Sequence, residues 1–186
     1  TAIRKQIASA GITDASGIHF FDNGNYHYMS KIWTDMVQEP FSLVVFDHHP
    51  DMQEPRFGNI LSCGGWVKKV LGENRFIDNV VIIGIADHLA EEIPPHDKVT
   101  FIRESEIARE ALTSTSFVFR LKELRSVLSS NIYLSIDKDA LSPACAATNW
   151  DQGSLDVATL KKIIEDLAAS HKIIGVDICG ERARDF

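Results

Sequence analysis

Residues 41–51 read F-S-L-V-V-F-D-H-H-P-D, and this stretch decides the fold. Phe41, Leu43, Val44, Val45 and Phe46 are apolar on both faces, the pattern of a strand buried inside a parallel sheet. At the carboxyl end of the run the composition turns abruptly to Asp47, His48, His49, Pro50 and Asp51. In extended chain, side chains two apart share a face, so Asp47, His49 and Asp51 are expected to converge while His48 points away. Two carboxylates and an imidazole at the mouth of a buried strand are costly without a counter-charge, and a divalent metal supplies one.

Residues 131–139 have the same character, N-I-Y-L-S-I-D-K-D, with Asp137 and Asp139 two apart. An Asp at a strand end also caps helices and starts turns. Here, however, two separate strand ends carry D-x-H-x-D and D-x-D. Their carboxylates and histidine form a donor set suited to two hard or borderline cations bridged by carboxylate.

Outward from these two strands, apolar runs alternate with helical spacing. Thr1 to Ala10 reads as a helix stopped by Gly11, and Ile18 to Phe21 as a short strand followed by a turn and His27. Met29 to Gln38 reads as a helix closed by Pro40, and Ile60 to Leu71 as helical in its later half. Gly64 and Gly65 mark a place of unusual backbone or close approach. Val80 to Ile85 and Lys98 to Ile102 are strands. Phe117 to Leu128 has helical spacing, a long loop runs from Ala140 to Ser154, and a helix over Val157 to Ala169 precedes a strand over Ile173 to Ile178. Strands alternating with helices imply right-handed β-α-β units: an α/β fold, three-layer α-β-α with a mainly parallel sheet. In such sheets ligands bind beyond the carboxyl ends of the strands, where His27, Asp47, His49, Asp51, Asp137 and Asp139 all fall.

The 186 residues are 45% hydrophobic and 24% charged, as expected of one globular domain over residues 1–186. A net charge of −7 without a Lys/Arg cluster argues against a nucleic-acid partner. No apolar run approaches the ~20 residues that span a bilayer, so no membrane partner is expected, and the first residues lack a signal-peptide pattern. Cys63, Cys145 and Cys179 have no metal-finger spacing and fit reduced thiols in a cytoplasmic protein. The chain begins without Met and stops soon after a strand, as a piece truncated at both ends would.

The chain resembles the arginase–agmatinase–formiminoglutamase group, the manganese ureohydrolases, whose fold is shared by the zinc histone deacetylases. Phe46 to Asp51 matches that family's D-A-H-x-D run, with His48 in place of Ala. Ser135 to Pro143, S-I-D-K-D-A-L-S-P, matches its S-x-D-x-D-x-x-D-P run. Gly24 to His27, G-N-Y-H, stands about where the family has G-G-D-H. Gly175 to Glu181, G-V-D-I-C-G-E, resembles the late strand ending D-I-x-E.

The resemblance implies an arginase-like fold, a small-molecule substrate and a homo-oligomer as a common assembly, although no interface is legible. It implies that Asp47 and Asp137 bridge two metals, with His27 and Asp51 completing one and His49 and Asp139 the other. Mn2+ is the family's usual ion, and Zn2+ or another divalent cation is chemically compatible. Two ions about 3.5 Å apart lower the pKa of a shared water and present hydroxide to a planar carbon. Asp51 is the candidate catalytic carboxylate, stabilising the tetrahedral intermediate and moving its proton.

Several departures stand beside the matches. Arginases place a proton-shuttling histidine soon after D-x-H-x-D, whereas Leu61 to Trp66 reads L-S-C-G-G-W, offering Ser62 or Cys63 instead. Gly180 stands at the late glutamate's step and Glu181 one residue later, and a one-residue slip on extended chain reverses the face. Ala147 to Ser154, A-T-N-W-D-Q-G-S, replaces a Gly- and Pro-rich run. Trp150, Asp151, Gln152 and Glu181 are therefore the candidate substrate contacts, in a site that differs from arginase proper. The expected function is binuclear hydrolysis of a non-peptide C–N bond in a small guanidino, amidine or linear amide compound. Two alternatives are a mononuclear zinc deacylase needing only Asp47, His49 and Asp137, and a metal- or ligand-binding member without turnover.

Overall fold

Strand β2 (Phe41–Phe46) is buried along its whole length and lies at the middle of the sheet. The computed structural model describes residues 2–55, 58–111 and 122–183, the side chains of 109–111 apart. Among these, β1 (Ile18–Phe20), β3 (Ile77–Ile85), β4 (Val99–Arg103), β5 (Asn131–Asp137) and β6 (Lys172–Cys179) join β2 in the order β1-β6-β5-β2-β3-β4. Every pairing is parallel, so the sheet expected to be mainly parallel is wholly so.

Alternate residues of β2 feed two cores, which is why its sequence is apolar at both parities. Val44 and Phe46 pack with Val81, Ile83, Leu134 and Ile136 beneath α5 (Glu104–Ala111) and α6 (Val157–Ser170), which contribute Ile107, Ile163 and Leu167. Phe41, Leu43 and Val45 pack on the opposite face with Val80 and Ile82. There α2 (Met29–Thr34), α3 (Trp66–Glu73) and α4 (Asp87–Glu92) supply Trp33, Trp66, Val67, Val70 and Ala90. Ile7 of α1 (Ala2–Ser9) packs at the edge of the same cluster. Each fully buried side chain of this size stabilises the fold by about 1.5–3 kcal/mol. The two oily faces of β2 thereby anchor the polar loop that follows it.

The helix expected over Met29 to Gln38 stops at Thr34. Thr34 Oγ1 donates back to Ser30 O at 2.8 Å, and a turn through Asp35 follows. The short helices α4 and α5 were not expected. Of the helix expected over Phe117 to Leu128, residues 122–127 are helical and the earlier part lies outside the described residues. No helix among the described residues is long and apolar enough to cross a membrane.

The chain runs outward from β2 through β3 to β4, then returns to the other side of β2 with β5 and continues through β6. The reversal of direction lies between β2 and β5, which pair up to Phe46 and Ile136. Asp47 and Asp137 thus leave adjacent strands at the switch point, where an open α/β sheet leaves a crevice.

Candidate metal centre

The first strand end does not stay extended. Asp47 donates its N–H to Ile83 O at 3.1 Å, and His49 N–H bonds Asp47 Oδ1 at 2.6 Å. Asp51 then adopts φ 49°, a left-handed conformation uncommon for a residue other than Gly. Simple alternation would not have produced the convergence of Asp51; the turn does. Its carboxylate is fixed by Trp66, whose Nε1 donates to Asp51 Oδ2 at 2.6 Å, and its backbone carbonyl by Val67 N–H at 3.1 Å. The expected close approach at the glycine pair is present: a Cβ on Gly65 would lie 2.9 Å from Gln53 O. His48 turns away from the cluster, its Nδ1 buried without a hydrogen-bond partner.

The second strand end meets the first. Asp137 caps the one-turn helix Lys138–Ala140, with Oδ1 accepting from Asp139 N at 3.0 Å. Its Oδ2 faces His27 Nδ1 at 3.5 Å. Asp139 Oδ1 accepts from His48 N at 3.1 Å, and its Oδ2 lies 3.1 Å from His49 Nδ1. His27 follows the turn Gly24–Tyr26, which Asn23 caps, and is buried rather than displayed on a surface loop. Its Nδ1 lies 3.0 Å from Asp51 Oδ2 and 3.1 Å from Asp47 Oδ2.

Hydrogen bonds behind the two imidazoles set their orientation. Ser135 Oγ donates to Asp177 Oδ1 at 2.5 Å and lies 2.9 Å from His27 Nε2. With the hydroxyl proton committed to Asp177, His27 Nε2–H is the donor to Ser135, leaving Nδ1 turned toward three carboxylates. His49 Nε2 likewise meets Asp151 Oδ1 at 3.2 Å while Nδ1 faces Asp139 and Asp47. Neutral nitrogen lone pairs aimed at carboxylate oxygens are repulsive, so each Nδ1 must hold a proton or face a cation. Burial works against a charge on His49, but the bonds to Asp139 and Asp47 push its pKa up to about 11. His27 is raised by Asp47 and Asp51 against the same burial. Burial and neighbouring carboxylates raise Asp51, Asp137 and Asp139, and burial pushes Asp177 up to about 6.

Three groups have donor atoms all within 4.8 Å of one another: His27, Asp47 and Asp51; Asp47, His49 and Asp139; and His27, Asp137 and Cys179. Asp47 belongs to the first two. Carboxylate-rich donors with inward imidazoles, held from behind, fit divalent cations.

A cavity of about 340 Å3 opens onto the cluster, lined also by Gln53, Pro55, Ile60, Ser62, Cys63 and Trp150. Trp150 stands edge-on to His49, ring centroids 5.9 Å apart, and a Cβ on Gly24 would meet its ring at 2.9 Å. The other candidate substrate contacts lie elsewhere. Gln152 spends its Nε2 on Leu141 O and Ala146 O, both at 3.0 Å, closing its own loop. Asp151 is engaged by His49. Glu181 is turned out by the left-handed Gly180 (φ 92°) and pairs with Lys138 at the surface. The supporting roles of Ser135, Trp66 and Asp177, and the place of Cys179, were not anticipated. A signal existed for the last two: β5 and β6 pair Ser135 with Asp177 and Asp137 with Cys179, matching S-I-D to D-I-C.

Residues 17–180 match the arginase family. An uncharacterised protein of Thermotoga maritima is 29% identical over 165 residues, covering 89% of this chain and 58% of that protein. Among solved structures, agmatine ureohydrolase of Thermoplasma volcanium superposes with a TM-score of 0.72 at 20% identity, covering 97% of this chain and 58% of that one. Proclavaminate amidino hydrolase from Streptomyces clavuligerus gives 0.73 at 18% identity, with coverages of 95% and 59%. Arginase from Bacillus caldovelox gives 0.68 at 16%, with 97% and 65%. The chain thus spans less than two thirds of the length of each of these relatives.

Proposed function

Because the chain belongs to the arginase family, we propose that it is a metal-dependent hydrolase of a non-peptide C–N bond in a small guanidino, amidine or linear amide compound. The names of the structural neighbours, an agmatine ureohydrolase, a proclavaminate amidino hydrolase and an arginase, lend that bond class support. The observation that carries the reading is the sharing of Asp47 between two donor groups, one with His27 and Asp51 and one with His49 and Asp139. His27, Asp47 and Asp51 would hold one divalent cation, and Asp47, His49 and Asp139 a second, with Asp137 beside His27. Mn2+ suits the oxygen-rich donors. Bound there, the cations would neutralise the carboxylates and make a water acidic enough to ionise near neutral pH.

The remaining work falls to the chain's own groups. Asp51, its carboxyl raised by burial, is the candidate proton carrier, and its Oδ2 lies 3.0 Å from His27 Nδ1 at the cavity. Trp66 holds that carboxylate in one orientation. Trp150, Ile60 and Pro55 form walls that limit water and flank a flat substrate. Because Glu181 and Gln152 are engaged elsewhere, selectivity falls to Trp150, Gln53, Ser62 and Cys63.

Metal analysis of protein purified without chelator tests this reading. About two equivalents of divalent metal are expected in the wild type, and a sharp loss in Asp47→Ala and Asp137→Ala. Release of urea, ammonia or amine from guanidino and amide compounds should follow the metal content. Substoichiometric metal indifferent to both substitutions would refute it. The displaced Glu181 motivates a second reading, a binding protein that keeps the metals without turnover; bound metal with no product from any compound would favour that.

A further inference from the structure

Cys179 ends β6 fully buried, opposite Asp137 in the register of β5 and β6. Its Sγ donates to Asp137 Oδ2 at 3.2 Å, and the same Oδ2 lies 3.5 Å from His27 Nδ1. A cysteine kept only for packing would need no polar partner. This one addresses the oxygen that faces His27, and the three donor atoms lie within 4.8 Å of one another.

We propose that Cys179 is a thiolate ligand to the cation held at His27, so that His27, Asp137 and Cys179 make a donor set for a borderline-soft ion such as Zn2+. The inference rests on the reading that the cluster binds cations at all. Tetrahedral zinc, with bonds of about 2.3 Å to sulfur and 2.0–2.1 Å to nitrogen or oxygen, sets its donors roughly 3.3–3.6 Å apart. The separations of 3.2 and 3.5 Å around Asp137 Oδ2 are close to those edges. Thiolate selects zinc and its kin, whereas carboxylate favours manganese and magnesium. Asp47, His49 and Asp139 carry no sulfur, so the two cation positions differ in kind. On entry the cation takes the place of the thiol proton on Sγ. That proton passes to cavity water, with no change of oxidation state.

Chelator-stripped protein titrated with Co2+ should develop a near-ultraviolet thiolate-to-cobalt absorption band. The band should persist in Cys63→Ser and vanish in Cys179→Ser, while equilibrium dialysis shows cobalt still bound to both. Cys179→Ser should weaken Zn2+ binding by more than the roughly tenfold that loss of an outer partner costs, and Mn2+ binding by less. X-ray absorption on zinc-loaded wild type, which needs no variant, should show a sulfur neighbour at about 2.3 Å. Bound cobalt and zinc with only nitrogen and oxygen neighbours would overturn the thiolate assignment and leave the hydrolase reading standing. Wild type that retains neither Co2+, Zn2+ nor Mn2+ would overturn both.

Discussion

Ser135 Oγ sits among His27 Nε2 at 2.9 Å, Ser30 Oγ at 3.2 Å and Asp177 Oδ1 at 2.5 Å, all in the interior. One hydroxyl therefore fixes the tautomer of the histidine and satisfies one oxygen, Oδ1, of the Asp177 carboxylate, whose Oδ2 is buried without a hydrogen-bond partner among the described residues. Ser135→Ala leaves both short of a partner. It should lower stability by about 1–3 kcal/mol, read from denaturant unfolding of metal-free protein. Metal affinity should fall about 10- to 100-fold, read by titration. Unchanged affinity would show that the serine does not orient His27. The acids at the two strand ends were legible because two separate oily runs end in D-x-H-x-D and D-x-D, whereas a cap or turn would explain either one alone. Ser135 and Trp66 were not, since a serine inside a strand and a tryptophan at a helix start look like ordinary sheet and core residues. Asp51 was legible by identity but not by conformation, because its turn depends on Trp66 and Val67, which arrive from another element.

Among the elements, α6 shows how little local signal a helix needs when its start is well made. Asp156 accepts from Thr159 N at 2.8 Å and from Thr159 Oγ1 at 2.9 Å, while Ile163 and Leu167 are buried a turn apart. Asp156→Ala should cost about 1 kcal/mol and leave the cation cluster untouched, so stability falls with metal content unchanged. The bonds to Thr159 hold Asp156 below its usual pKa. Its share is present above the unfolded value of 3.8 and is lost as pH falls through the lower folded value. A variant unfolding with the wild type at neutral pH would contradict the cap. The 3.6-residue period made α6 readable, while its cap at Asp156 was not read from the sequence. By contrast α4 spans Asp87–Glu92 and α5 reads E-S-E-I-A-R-E-A, with Ile107 its buried apolar anchor. Helices that short carry too few core positions for periodicity to register.

For the molecule as a whole, the acid cluster makes stability of the metal-free protein depend on pH in an unusual direction. Asp177, pushed up to about 6 by burial, contributes fully below 3.8, and that share is lost as pH rises toward 6. His49, raised from 6.5 to about 11, contributes below 6.5 and loses that share as pH climbs. Both slopes have one sign, so chelator-treated protein should melt at its highest temperature under mildly acidic conditions and weaken steadily toward alkaline pH. Saturating divalent metal should flatten that decline. A metal-free melting temperature that rises from pH 5 to 8 would contradict the cluster's electrostatics. The layered architecture was legible because β2, β3 and β5 are apolar at both parities, a pattern with few other uses. The order of strands was not, since pairing partners far apart in sequence leave no local mark.

That order governs when the centre can come into being. β3 and β4 extend the sheet away from β2 before β5 returns to its other flank, and the donors on the far side belong to Asp137, Asp139 and Cys179. As the chain leaves the ribosome, the loop bearing Asp47, His49 and Asp51 waits half assembled until the later strands emerge and dock. On the proposed reading the second donor group would be completed only then: a nascent chain arrested before residue 131 would carry His27, Asp47 and Asp51 but lack Asp137, Asp139 and Cys179.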